Sequence, residues 1–282
     1  MIADGARHFN RVVGIDLGGG KGKHTAVAIG SVTPAGLEIQ SYGTRGPGGK
    51  PYYDDVLTRL LLSQPPATLV AMDAPLGLPA CVRCLLPECP GIAACEDPAV
   101  RWMQTDGARL ERAHRPRAPQ SKPLITPYTQ RVTEIRLRCE DHIQPRETLG
   151  QGMGPLTARG VHLAKALAGR YRRDESLIEV YPKATIHQFA GPDAARRYKR
   201  GVGLWQVRAS LLERWSRELT FKAWREESLR CDHCFDAVVC AFTGYLWATE
   251  SWSRPAGFDR IADLEGWIWM PEAQASRETE TD

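Results

Sequence analysis

The stretch Arg11-Val12-Val13-Gly14-Ile15-Asp16-Leu17-Gly18-Gly19-Gly20-Lys21-Gly22-Lys23 decides the fold. Val12 to Leu17 is β-branched and aliphatic around Gly14, the pattern of a buried strand. It carries an aspartate at its far end and runs into a glycine-rich loop with two lysines. A carboxylate there is costly to desolvate unless a cation or a hydrogen-bond donor compensates it. A turn-capping aspartate is the ordinary alternative.

Downstream, His24 to Ile29 and Leu37 to Tyr42 have strand character, with Pro34 and Gly36 turning between them. Three strands on short turns imply an antiparallel meander. Tyr53 to Leu62 has helical periodicity and acids in its first turn, as the helix dipole favours. Thr68 to Met72 is a second buried strand, and it too ends in aspartate, at Asp73. A strand reached through a helical crossover runs parallel to its predecessor. Asp16 and Asp73 are therefore expected at one edge of one sheet, where open α/β sheets place their ligands.

Cys81, Cys84, Cys89 and Cys95 follow in a C-x2-C-x4-C-x5-C pattern, with Pro87, Pro90 and Gly91 letting the chain fold back. Four thiolates in one short loop suit a closed tetrahedral site, so structural Zn²⁺ is expected and an iron–sulfur cluster is the alternative. A proline-rich basic segment from Arg115 to Arg131 then reads as a strap that contacts phosphates or bases, with Lys122, Tyr128 and Arg131 as candidates. Helices are expected over Val100 to Ala113, Thr133 to Glu140 and Gly160 to Tyr171. A fifth strand, Glu175 to Tyr181, brings Glu179 near its end and is stopped by Pro182. Asp193 to Lys199 and Trp205 to Leu219 read as ordinary amphipathic helices.

The last strong segment, Cys231 to Leu246, is alanine-rich and apolar, as a buried helix requires. Asp232 and Asp236 lie four apart and share a face. A capping role accounts for Asp232 and not for Asp236, one turn inside. Residues 266–270 suggest a final edge strand. Residues 1–10 read as frayed and 272–282 as a disordered tail.

Composition sets the outer bounds. A chain of 282 residues, 43% hydrophobic and 25% charged, is globular. No apolar run approaches the roughly 18 residues of a membrane span, and the N-terminus has no apolar leader core. A cytoplasmic protein without membrane association is expected. The net charge of +4 excludes little, but basic residues concentrate between Arg101 and Arg138, which favours a polyanion partner.

Asp16, Asp73 and Asp236, with Glu179 and Asp232 as further acids, form one plausible cluster. Carboxylates around one point do not all stay ionised without a cation. Hard oxygen donors select Mg²⁺ or Mn²⁺, and two such ions about 4 Å apart activate water and stabilise a leaving oxygen in phosphodiester hydrolysis.

The order of elements resembles the ribonuclease H-like fold, a mixed α/β sheet with flanking helices, here carrying a four-cysteine loop insertion. More closely, Gly14-Ile15-Asp16-Leu17, Met72-Asp73-Ala74-Pro75-Leu76-Gly77, Glu179-Val180-Tyr181-Pro182 and Phe235-Asp236-Ala237-Val238-Val239-Cys240-Ala241 are similar to the domain-of-unknown-function family 429, described as ribonuclease H-like nucleases by prediction. The resemblance implies that Asp16, Asp73 and Asp236 ligate the metal, with Glu179 close by. It implies one domain over residues 11–250, with an insertion at 79–158 and a C-terminal extension at 251–271.

The reading that follows is a divalent-metal-dependent nuclease acting on nucleic acid. Asp16, Asp73 and Asp236 hold the ions, Glu179 or Asp232 completes the shell, and Lys21, Lys23, Lys122 and Arg131 neutralise phosphate. Two other classes stay open. Asp-Leu-Gly-Gly-Gly-Lys after the first strand also resembles the phosphate loop of actin-type ATPases and sugar kinases, whose glycine N–H groups cradle a nucleotide. A non-catalytic zinc-bearing nucleic-acid-binding module is the third.

Overall fold

A computed structural model describes residues 7–20, 24–119, 123–222 and 225–272. Contacts divide the chain into two units: Met1–Ala74, His162–Ser253 and Trp269–Asp282 form the first, and Pro75–Val161 with Arg254–Ile268 the second.

Seven strands form one mixed sheet: β1 (Arg11–Asp16), β2 (Ala26–Thr33), β3 (Gly36–Gly43), β4 (Thr68–Asp73), β5 (Leu177–Val180), β6 (Leu219–Phe221) and β7 (Ile268–Trp269). Their spatial order is β6-β3-β2-β1-β4-β5-β7. The first three form the expected antiparallel meander, and β4 returns parallel to β1 after the helix Asp54–Leu62. β5 continues in parallel beside β4. This is the strand and helix order that the ribonuclease H-like resemblance implies. β1 and β4 are buried along nearly their whole length, which is why they read as continuous apolar runs without alternation.

The late helix, Asp232–Thr249, packs on β1, β2 and β4 and buries 14 of its 18 residues. Its approach depends on glycine. A Cβ added at Gly14 would lie 2.1 Å from the Ala237 carbonyl oxygen and 2.3 Å from the Ala241 nitrogen. Gly244 faces Val12 and Ala71, where an added Cβ would lie 3.0 Å from each side chain. The helix backbone therefore rests directly on the sheet. A Thr185–Thr243 hydroxyl pair at 2.8 Å ties it to the helix Pro182–Arg197.

Three expectations change. Pro182 does not merely stop β5. It is the first residue of that helix, where a missing N–H is harmless, and the helix runs on to Arg197 through a break at Gly191 (φ 78°). Residues 7–10 are not frayed: the Arg7 amide bonds the Ala248 carbonyl at 3.0 Å and its guanidinium lies 3.9 Å over the Trp247 ring. The segment Val100 to Ala113 is not one regular helix, because a π-helical turn at Met103–Gly107 separates Pro98–Trp102 from Ala108–His114. The tail beyond Glu272 lies outside the described residues.

The second unit surrounds a small core of Ala80, Ala99, Val100, Met103, Val132, Ile135 and Ile261. It also buries ion pairs. Arg138 pairs with Glu111, and Arg131 Nε donates to Glu134 Oε1 at 3.0 Å. The Glu134 carboxylate also accepts from the Thr148 amide, and Glu265 Oε2 accepts from the Val132 amide.

Candidate metal centre

Parallel pairing of β1 with β4 sets Asp16 directly beside Asp73 at the strand ends. Asp236, in the second turn of the late helix, is carried to the same place because Gly14 lets that helix sit on β1. One oxygen from each of the three aspartates lies within 4.8 Å of the others. Asp236 is fully buried, Asp16 buried and Asp73 half-buried.

Two basic side chains meet this group. The Lys199 ammonium, just beyond the helix Pro182–Arg197, contacts Asp236 Oδ2. His233 Nδ1 lies 2.6 Å from Asp16 Oδ2, and its ring stacks on His24 at 5.5 Å. The remaining Asp236 oxygen, Oδ1, is buried and makes no hydrogen bond among the described residues.

The electrostatics follow from this crowding. Burial, and then the charges of Asp16 and Asp236, push the Asp73 carboxyl far above its ordinary range. Burial raises Asp236 to about 7, with Lys199 opposing the rise and Asp16 adding to it. Burial alone would weaken the charged form of Lys199. Asp236 outweighs it, and the ammonium is held more firmly than in water. The bond to Asp16 raises His233. Burial, reinforced by the same carboxylates, keeps the Tyr198 hydroxyl protonated.

A group of hard oxygen donors, one of them buried and unsatisfied, could hold a metal ion. Lone acidic residues near a surface do not share these features.

The other expected residues fall out differently. Glu179 is buried on β5 but pairs in register with Met72, one residue out of step with Asp73, and is not in the gathered group. Asp232 sits in the first turn of the late helix, also outside the group. The cap there is Cys231, whose sulfur accepts from the Cys234 amide at 3.4 Å. Arg131 is corrected outright as a phosphate contact: its guanidinium is buried and engaged by Glu134 and the Glu265 carbonyl. Tyr128 is exposed in the second unit. Lys21, Lys23 and Lys122 lie outside the described residues. In the glycine loop, the Gly18 amide is bonded to Thr25 Oγ1 at 3.1 Å, so one expected phosphate donor is already engaged.

Cys81, Cys84 and Cys89 are exposed and Cys95 half-buried, none in a disulfide. Among the described residues, only the aspartates bring three ligand atoms within 4.8 Å, so the cysteines are near one another without being closed around a point. Burial raises the Cys81 thiol, and the neighbouring Cys95, Cys89 and Cys84 raise it further. The base of the loop is held by Arg83 and Asp97 at 2.7 Å.

The pairing of Lys199 and His233 with the aspartates goes beyond the sequence reading. His233 had a usable signal, since it lies three residues before Asp236 and so shares its helix face. Lys199 had none, because its approach depends on where a helix ends.

A family model described as a protein of unknown function, DUF429, matches residues 14–260, and the chain belongs to that family. No curated protein and no solved structure matches it.

Proposed function

We propose that this DUF429 member is a divalent-metal-dependent nuclease. The observation that carries the proposal is the convergence of Asp16, Asp73 and Asp236 on one point, with a buried Asp236 oxygen left unsatisfied. Those three residues would hold Mg²⁺ or Mn²⁺. Such an ion, when bound, supplies an activated water and positive charge at a leaving oxygen. His233 fixes the orientation of the Asp16 carboxylate through its 2.6 Å contact. Lys199 opposes the rise that burial imposes on Asp236 and places a fixed positive charge beside the group, where a phosphate substrate would need one. Glu179 contributes negative charge from the neighbouring strand without joining the group.

The test is hydrolysis of single-stranded, duplex and branched DNA and RNA with Mg²⁺ or Mn²⁺. Cleavage is expected to stop with chelator and to vanish in Asp16→Asn while circular dichroism is unchanged. Wild-type rates in that variant would overturn the assignment.

The cysteine loop is proposed to hold structural zinc. Its donor set and spacing support this. Elemental analysis is expected to find about one zinc per chain. Loss of zinc in Cys84→Ser with Cys89→Ser is expected, whereas visible absorbance with iron and sulfide present would point to a cluster instead.

A further inference from the structure

We infer that the Lys199 ammonium takes the place of a second cation at the aspartate group, so that the centre accepts one divalent ion and not two. The inference rests on the metal-binding reading above and specifies its stoichiometry.

The carboxylate oxygens can be followed one by one. Asp236 has two, both shut off from solvent by complete burial of the residue. Oδ2 faces the Lys199 ammonium, and Oδ1 has no hydrogen bond among the described residues. Asp16 Oδ2 is held by His233 Nδ1. What remains is the other oxygen of Asp16, Asp236 Oδ1 and the Asp73 carboxylate. One oxygen of each aspartate lies within 4.8 Å of the rest, a donor set for a single ion with water filling the other positions.

A second ion would need the Asp236 oxygen that Lys199 already holds. Two positive groups on one buried oxygen repel strongly, because little solvent screens them. The charges agree. One divalent ion and one ammonium balance three carboxylates.

The side chain is suited to the part. An ammonium is a compact point charge with three donors, close in size and demand to a small hydrated cation. The Lys199 side chain is 37% exposed, so its stem reaches in from the surface while its head meets a buried acid. It therefore keeps the ability to turn one donor toward a substrate oxygen without leaving Asp236, the service a second ion gives in two-metal sites. In this reading Lys199 is a positioning residue for Asp236 and a resident cation of the centre.

The experiment is Mn²⁺ titration of the full, zinc-loaded chain by calorimetry, with electron paramagnetic resonance of the saturated samples, for wild type, Lys199→Arg and Lys199→Gln. Wild type and Lys199→Arg are expected to bind one Mn²⁺ with the six-line signal of an isolated ion. Lys199→Gln is expected to bind two, with a spin-coupled signal. Two coupled ions in wild type, or a single ion in Lys199→Gln, would overturn the inference and leave the metal centre standing. No Mn²⁺ binding in any of the three would overturn the metal centre and this inference together. The wild-type stoichiometry decides even where Lys199→Gln fails to fold.

Discussion

Asp73 and Asp236 are held at pKa values above those of an unfolded chain, Asp236 at about 7. Folding therefore favours their protonated forms, and the unfolded chain gives up these protons first as pH rises. Their contribution to stability is full below the ordinary carboxylate value of about 3.9 and is lost progressively as pH rises, toward pH 7 for Asp236. His233, also raised, acts in the same direction. The metal-free protein is expected to melt at lower temperature at pH 8 than at pH 5.5, and added Mn²⁺ to restore the difference. Asp73→Asn is expected to melt about 5 °C above wild type at pH 8 in chelator, and to gain nothing from Mn²⁺. Parallel thermal melts across that pH range check both, and an unchanged pH slope in the variant would count against a raised Asp73. At this scale Asp16, Asp73 and Asp236 were legible because each breaks a local rule: an acid ends a buried strand or sits inside a buried helix. Arg131 obeyed a plausible surface rule and was misread, because nothing local distinguishes an arginine that pairs inward with Glu134 from one that faces solvent.

Among the elements, the contact between β1 and the late helix positions the centre. Gly14→Ala would place a methyl 2.1 Å from the Ala237 carbonyl, a backbone atom that moves only with its helix. The expected loss is about 1–3 kcal/mol, read by urea unfolding, together with weaker Mn²⁺ binding as Asp236 is lifted from Asp16. Full-strength binding in a measurably destabilised variant would separate the site from this contact. The meander, β4 and the late helix were legible from buried apolar runs and turn residues. The helix beginning at Pro182 was not, because proline stops strands and starts helices with equal ease. β6 is only three residues long and carries no periodic signal, so its pairing with β3 alone defines it.

On the scale of the molecule, the two units draw stability from different sources. The first relies on a sheet and a buried helix. The second has a small apolar core and places charge inside, with Arg131–Glu134 and Arg138–Glu111 both out of solvent. Breaking such a pair from one side leaves an uncompensated buried charge, so Arg131→Met is expected to lose about 3–5 kcal/mol. Arg59→Ala, at an exposed pair, is expected to lose no more than about 1 kcal/mol. Chemical denaturation of the two variants distinguishes a structural Arg131 from a substrate contact. Among the described residues no helix is long and apolar enough to cross a membrane, which agrees with the absence of long apolar runs.

The nuclease reading depends on the aspartate group being a cation site. The measurement is calorimetric titration of Mn²⁺ into the zinc-loaded wild-type chain and into Asp73→Asn. Saturable binding in the wild type that disappears in Asp73→Asn is the predicted result. Equal binding in both, or none in either, would contradict it.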